Sequence, residues 1–235
     1  MFTIPTHTYR IILKDRQTKP SDITGPDSTL RCSIHHWSTH GIAARAILLD
    51  YYHYYTTTHN NTPYDPYTTH GIPLSSLHAC ARAQGLDPRP ESQGGDIRPG
   101  DILMIRSGFV ERYDTTKSNA AIQRGEFTGV LQEEPMLDWL HDCYFAGVVG
   151  DSPTFECWPP PPPKQKQGKG KEYLHLHQSI LALWGMPLGE MWDLERVSGR
   201  CRELGRWVFF VTSAPANVRG MFSLSLFSWI LIRFG

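Results

Sequence analysis

The chain has 235 residues, 40% hydrophobic and 20% charged, enough apolar surface for a sizeable core and too much for a disordered chain. Lys plus Arg and Asp plus Glu balance at 23 each, so no surplus charge points to nucleic acid or an anionic membrane; a small neutral or weakly charged ligand fits better. Eleven histidines favour metal or acid–base chemistry, and five cysteines without any Cys-x-x-Cys pair read as reduced thiols of a cytoplasmic protein.

Residues 1–33 carry no clear period and read as a loosely ordered lead-in, with no charged segment and apolar run of the kind that forms a signal peptide. From Ile42 to Asp50 the apolar run predicts a buried strand that ends in a carboxylate. A Tyr- and Thr-rich loop is expected through Tyr67. Pro73 then opens a helix over 74–84, and Gly85 stands where a helix stops. The turn Arg98-Pro-Gly-Asp101 feeds a central strand, Ile102 to Ile105, with Arg106-Ser-Gly108 at its exit.

A helix is predicted over 135–143, with Met136, Leu137, Trp139 and Leu140 on its buried side, and a strand over 145–150 that ends at Asp151. Five prolines, 159–163, lead into a Lys- and Gly-rich stretch; 159–171 is expected to be a mobile surface loop. Helices follow around 177–183 and 195–204, then a strand over 207–212. Strands and helices alternate, which makes the class α/β with a sheet covered by helices. The apolar stretch 221–234 is shorter than the roughly 20 residues of a membrane span and is broken by serines and Arg233, so no membrane association is expected. Its low charge and β-propensity mark it as aggregation-prone.

The chemistry concentrates at 175–190. There His177 and Glu190 lie at the two ends of a short apolar helix and its following turn, and such an imidazole and carboxylate can share one divalent metal. Read singly, each is an ordinary surface residue. Asp50 and Asp151 end strands where α/β proteins gather functional groups, yet each also suits a turn cap. Arg106 suits a substrate carboxylate or a structural acid equally. His70 reads as a turn residue. No glycine-rich phosphate loop, Gly-x-Ser-x-Gly elbow or His-Glu-x-x-His motif is present.

Five blocks, 39–50, 98–108, 147–156, 177–190 and 209–215, occur in an order and spacing that resemble the metal-dependent cyclase family, which includes kynurenine formamidase and isatin hydrolase, and most of all its fungal branch. The resemblance covers about residues 34–218 and implies a swivelling β/β/α fold, usually assembled as a homodimer or larger. It also implies a divalent cofactor, zinc or manganese, and amide or lactam substrates. For this chain that means a kynurenine formamidase-like hydrolase of tryptophan catabolism. His177 and Glu190 match the family's late pair of metal ligands.

The early ligands of the family sit in a motif of the form His-x-Gly-Thr-His-x-Asp-x-Pro-x-His, or a Trp-Asp-Gly-x-x-His variant, that has no full counterpart here. His36-Trp-Ser-Thr39-His40 imitates its start, but Ile42 replaces the Asp and Ala46 the last His, so the segment reads as a His-rich approach to the strand. The expectation is therefore a cyclase-like domain at 34–218, incomplete at the N-terminus, with a divergent apolar tail at 219–235. A non-catalytic relative of the family is the alternative to the hydrolase.

Overall fold

A computed structural model of the chain describes residues 12–13, 16–17, 35–162, 174–215 and 228–233. Much of the expected lead-in, loop and tail thus lies outside the described residues. Two short strands, β1 (Ile12–Leu13) and β2 (Arg16–Gln17), pair antiparallel with each other. Helix α1 (His35–His40) precedes the central strand β3 (Ile42–Leu49), so the predicted His-rich approach to the strand is helical.

The other elements follow in chain order: α2 (Tyr51–Thr58), β4 (Gly71–Ile72), α3 (Leu74–Ala83), β5 (Ile102–Ile105), α4 (Phe109–Thr116) and α5 (Ala120–Arg124). After these come β6 (Gly129–Val130), α6 (Glu134–Asp142), β7 (Gly147–Gly150), a π-helical turn (Gln178–Leu183) and β8 (Leu188–Gly189). Helix α7 (Glu195–Leu204) and strands β9 (Val208–Pro215) and β10 (Ser228–Arg233) complete the described chain.

The main sheet has the order β10-β9-β3-β5-β7-β8. Strands β3, β5, β7 and β8 are parallel, whereas β9 runs antiparallel to β3, and β10 antiparallel to β9. Apolar runs rather than alternating patterns make the parallel strands, because both faces of this sheet are covered. Ile47, Leu49, Leu103, Ile105 and Val148 face one core with Leu77, Met136, Leu140 and Ile180. Ala46, Leu48, Ile102, Met104 and Val149 face the other, against Trp192, Leu194, Val197 and Cys201. Successive residues serve opposite cores, as the two-residue period of a strand requires.

A second, smaller parallel pair, β4 with β6, lies over the first core, and Val130 of β6 bridges to Glu156. This gives the two β-layers and helical layer of the expected α/β class.

The segment expected to be a Tyr/Thr loop is helix α2. Asp50 accepts from the backbone N–H of His53 and so caps its start. Tyr51 packs its ring on Tyr54, Tyr55 and Tyr64, which repays the poor helix propensity of the threonines. Gln84, just beyond α3, clamps the end of β3: its amide donates to Leu48 O (2.7 Å) and its carbonyl accepts from Asp50 N (2.9 Å). Among the described residues no helix is long and apolar enough to cross a membrane.

Candidate functional site

The carboxyl ends of β3, β5, β7 and β8 carry Asp50, Arg106, Asp151 and Glu190, all at one edge of the parallel strands. In α/β sheets this edge gathers ligand-binding groups. Helix α1, with His36 and His40, precedes β3 and packs by the far end of β9, so it belongs to the opposite edge. The eight residues of β3, at about 3.3 Å each, separate the two edges. His40 thus sits at the edge opposite His177, and the side chain of His36 lies outside the described residues.

Arg106 and Asp50 form a closed ion cluster. The Arg106 guanidinium is 3% exposed; its Nη1 donates to Asp50 Oδ1 (2.8 Å), and its Nε (3.0 Å) and Nη2 (2.6 Å) donate to the two oxygens of Glu195. Nη2 also pairs with Glu111. The second oxygen of Asp50 accepts from Ser198 and Arg202. Burial works against the charge on Asp50, but Arg106, Ser198 and Arg202 outweigh it and hold the carboxyl below its ordinary range. Every donor of Arg106 that faces an acid is spoken for. Of the two sequence readings, structural acid or substrate carboxylate, the geometry selects the structural one.

Asp151 is fully buried and accepts four hydrogen bonds: from the backbone N–H of Ser107 (2.7 Å), Gly108 (2.7 Å) and Phe109 (3.0 Å), and from the Ser107 hydroxyl (2.6 Å). Burial pushes the carboxyl up, and these donors pull against it. The carboxylate closes the N-terminus of α4, which makes it a cap. Gly108 has φ +83°, and a Cβ there would lie 2.4 Å from the Tyr52 ring, so the turn accepts only glycine.

The third group is open. His177 Nε2 lies 3.1 Å from Glu190 Oε1, which brings together the two residues singled out in the sequence. On the other side of the ring, Nδ1 lies 2.5 Å from Glu156 Oε1. Glu156 also accepts from the backbone N–H groups of Leu176 (2.8 Å) and His177 (3.2 Å), the unpaired donors at the start of this helical segment. Its place is fixed from below, because a Cβ at Gly129 would come within 2.7 Å of the Glu156 carbonyl oxygen. The side chains of His177, Glu190 and Glu156 are 32%, 17% and 2% exposed. Burial works against the His177 cation, but Glu156 and then Glu190 raise its pKa to about 9. Burial likewise opposes the Glu156 anion, and the His177 ring and two backbone donors still leave its pKa lowered.

The helix predicted over 177–183 is wound as a π-turn: Trp184 N donates to Ser179 O (2.9 Å), five residues back. Such turns recur at functional sites. Glu156 itself was not singled out in the sequence. Its signal was an acid at the end of the block 147–156, in an otherwise apolar and cysteine-containing stretch, and the helix it caps begins 20 residues later.

Two other histidines are near the same edge. His70 stacks on Tyr64 (4.0 Å, 8°) and meets Tyr55 edge-on, and burial lowers its pKa; its Nε2 is buried without a hydrogen-bond partner. His175 lies two residues before His177, its ring 5.9 Å from that of Trp158.

For a divalent metal, the 3.1 Å between Nε2 and Oε1 is close to the spacing of two donors on one ion, whose metal–ligand bonds are about 2.0–2.2 Å. A carboxylate on the other ring nitrogen is the usual support of a ligating histidine. Among the described residues, however, no group of three or more His, Cys, Asp or Glu is placed to hold an ion. The pair fits as part of a metal site and not as a whole one.

Comparison with solved structures gives the fold. A crystal structure described as a novel cyclase superimposes with a TM-score of 0.66 at 22% identity, over 91% of this chain and 62% of that one. Isatin hydrolase A from Ralstonia solanacearum superimposes with a TM-score of 0.50 at 14% identity, over 81% of this chain and 60% of that one. The fold is cyclase-like. This cyclase-like chain spans about three-fifths of the length of those two structures. No family profile matches the sequence, and no curated protein matches it.

Proposed function

We propose that this protein is a cyclase-fold hydrolase of amide C–N bonds, acting on formamides or lactams in the manner of a kynurenine formamidase. The observation that carries the reading is the His177–Glu190 pair at the carboxyl edge of the sheet, with Glu156 locked behind the imidazole. His177 and Glu190 would hold a divalent ion, zinc or manganese, which when bound polarises a carbonyl and lowers the pKa of a water. Glu156 fixes the ring: by keeping the Nδ1 proton it leaves Nε2 as the atom that faces outward, towards Glu190. In the overall reaction the water oxygen joins the carbonyl carbon, the C–N bond breaks, and the nitrogen leaves with a proton. A cytoplasmic setting accompanies this reading, supported by the free, buried thiols of Cys80, Cys143, Cys157 and Cys201.

The second reading is a non-catalytic cyclase-fold protein, favoured by the lack of a third donor among the described residues. One experiment separates them. The purified chain, loaded with zinc or manganese, is assayed for N-formylkynurenine hydrolysis beside His177→Ala. The hydrolase reading expects turnover in the parent and its loss in the variant. Turnover that survives in His177→Ala would sink the assignment of the site, and no turnover in either protein favours the non-catalytic reading.

A further inference from the structure

The segment that carries Glu156 runs on into five prolines, which the hydrolase reading does not use. Up to that point it is held firmly. Gln132 Nε2 donates to Cys157 O (2.7 Å), and the N–H and carbonyl of Trp158 exchange hydrogen bonds of 2.8 Å with Phe127. The pairing stops at residue 159 because prolines have no N–H to offer a neighbouring strand. Pro159, Pro161 and Pro162 are exposed, Pro160 is half-buried, and none of the four lies in a helix or strand.

The conformation of such a run is set locally. Each ring fixes φ at about −65°, and each residue before a proline is kept out of the helical region, which leaves 159–162 the polyproline II form. That form repeats every three residues, so Pro159 and Pro162 share a side. Grooves lined with aromatic side chains recognise a ridge of this kind, and its order before binding lowers the entropy cost of docking.

The sequence beyond the ridge supplies a charge. Residues 164–171 hold four lysines and no acid, in a chain whose charges otherwise balance, and Lys164 completes the pattern Pro159-x-x-Pro162-x-Lys. A groove edged by carboxylates complements that sign. Lysines alone would serve an anionic membrane, but such a surface makes no use of the prolines.

We propose that Pro159–Pro162 is a docking ridge for a polyproline-binding protein domain, one with an aromatic groove edged by carboxylates, as in SH3 domains. Docking of this kind needs neither metal nor turnover, so it stands apart from the hydrolase reading.

The probe is a panel of purified SH3 domains with acidic grooves, titrated by calorimetry into the full chain and into Pro159→Ala/Pro162→Ala. Thermal unfolding shows that the double variant is folded. At least one domain should bind the parent, and removal of the two prolines should weaken it about tenfold or more. An excess of free proline decamer should displace the domain from the unaltered chain, a result that needs no variant. Lys164→Glu should weaken binding by a smaller factor, which shrinks as salt is raised. Failure of every domain to bind the parent overturns the proposal, as do equal affinities for the parent and the folded double variant, or no displacement by the decamer. Binding to phosphatidylserine vesicles that is unchanged in the double variant, with no domain bound, overturns it in favour of a membrane surface.

Discussion

Two groups of charged side chains lie along the same sheet edge, and they differ in closure. Around Arg106 the guanidinium is 3% exposed and meets Asp50, Glu195 and Glu111, while Asp50 takes up Ser198 and Arg202 as well. Around His177 the ring is 32% exposed and stands between a buried carboxylate on one side and a more accessible one on the other. The chemical ingredients are alike. What separates scaffold from candidate site is the central group: the Arg106 guanidinium is enclosed even though Glu111 and Arg202 around it reach the surface, whereas the His177 ring is itself one-third exposed. Residue type alone therefore carries little functional information at this edge, and the burial of the central charged group carries much more.

The largest effect that would break this comparison is on stability. Arg106→Met removes the cation shared by three acids and leaves Asp50 buried with Arg202 as its only guanidinium partner. Breaking a buried ion cluster from one side costs about 3–5 kcal/mol. Denaturant unfolding should show that loss. His177→Ala should lose far less, since the ring is one-third exposed. If both variants lose the same stability, the distinction between closed scaffold and open site fails.

Much of the scaffold was legible before the structure. The strands over 42–49 and 102–105 were readable because a strand covered on both faces must be apolar throughout, whatever surrounds it. Helix α2 was not readable: its Tyr- and Thr-rich sequence has a weak helical preference, and the contacts that fix it come from Tyr64 and His70, beyond its own end. The role of Arg106 was undecidable for a similar reason, because Glu195 lies 89 residues further on. His177 and Glu190 were found since they are 13 residues apart across a single turn; Glu156, 21 residues from His177 across a proline- and lysine-rich stretch, was not.

A second prediction sharpens the open half of the comparison. Glu156→Gln keeps the shape of the side chain but only one of the two acceptor oxygens that serve the Leu176 and His177 N–H groups, and it removes the charge behind the imidazole. Loss of a supporting carboxylate of this kind lowers metal affinity by about 10–100-fold. Zinc titration of the parent and the variant measures it. Unchanged affinity would mean that Glu156 is only a helix cap and that its contact with Nδ1 contributes nothing to the site.

The smallest expected effect is on the pH dependence of stability, and here too the two clusters part. Asp50 has its pKa lowered in the folded chain, so its contribution is present above the ordinary carboxylate range and is lost as pH falls through its folded value. His177 has its pKa raised from 6.5 to about 9 by Glu156 and Glu190. Its contribution is therefore complete below about pH 6.5, declines as pH rises, and is gone above pH 9. With the ring one-third exposed and screened by solvent, that contribution is on the order of 1–2 kcal/mol. The buried thiols Cys143, Cys157 and Cys201 also favour the unfolded chain at alkaline pH, since burial raises their pKa values to about 12, 11 and 12. That loss begins near pH 9 and is common to both proteins, so the difference between the parent and His177→Ala isolates the imidazole. Metal-free unfolding at pH 6, 7.5 and 9 should show the gap between them closing as pH rises. A gap that stays constant over this window would show that the ring is held by packing alone, which would place His177 with the scaffold and leave the sheet edge without an open charged pair.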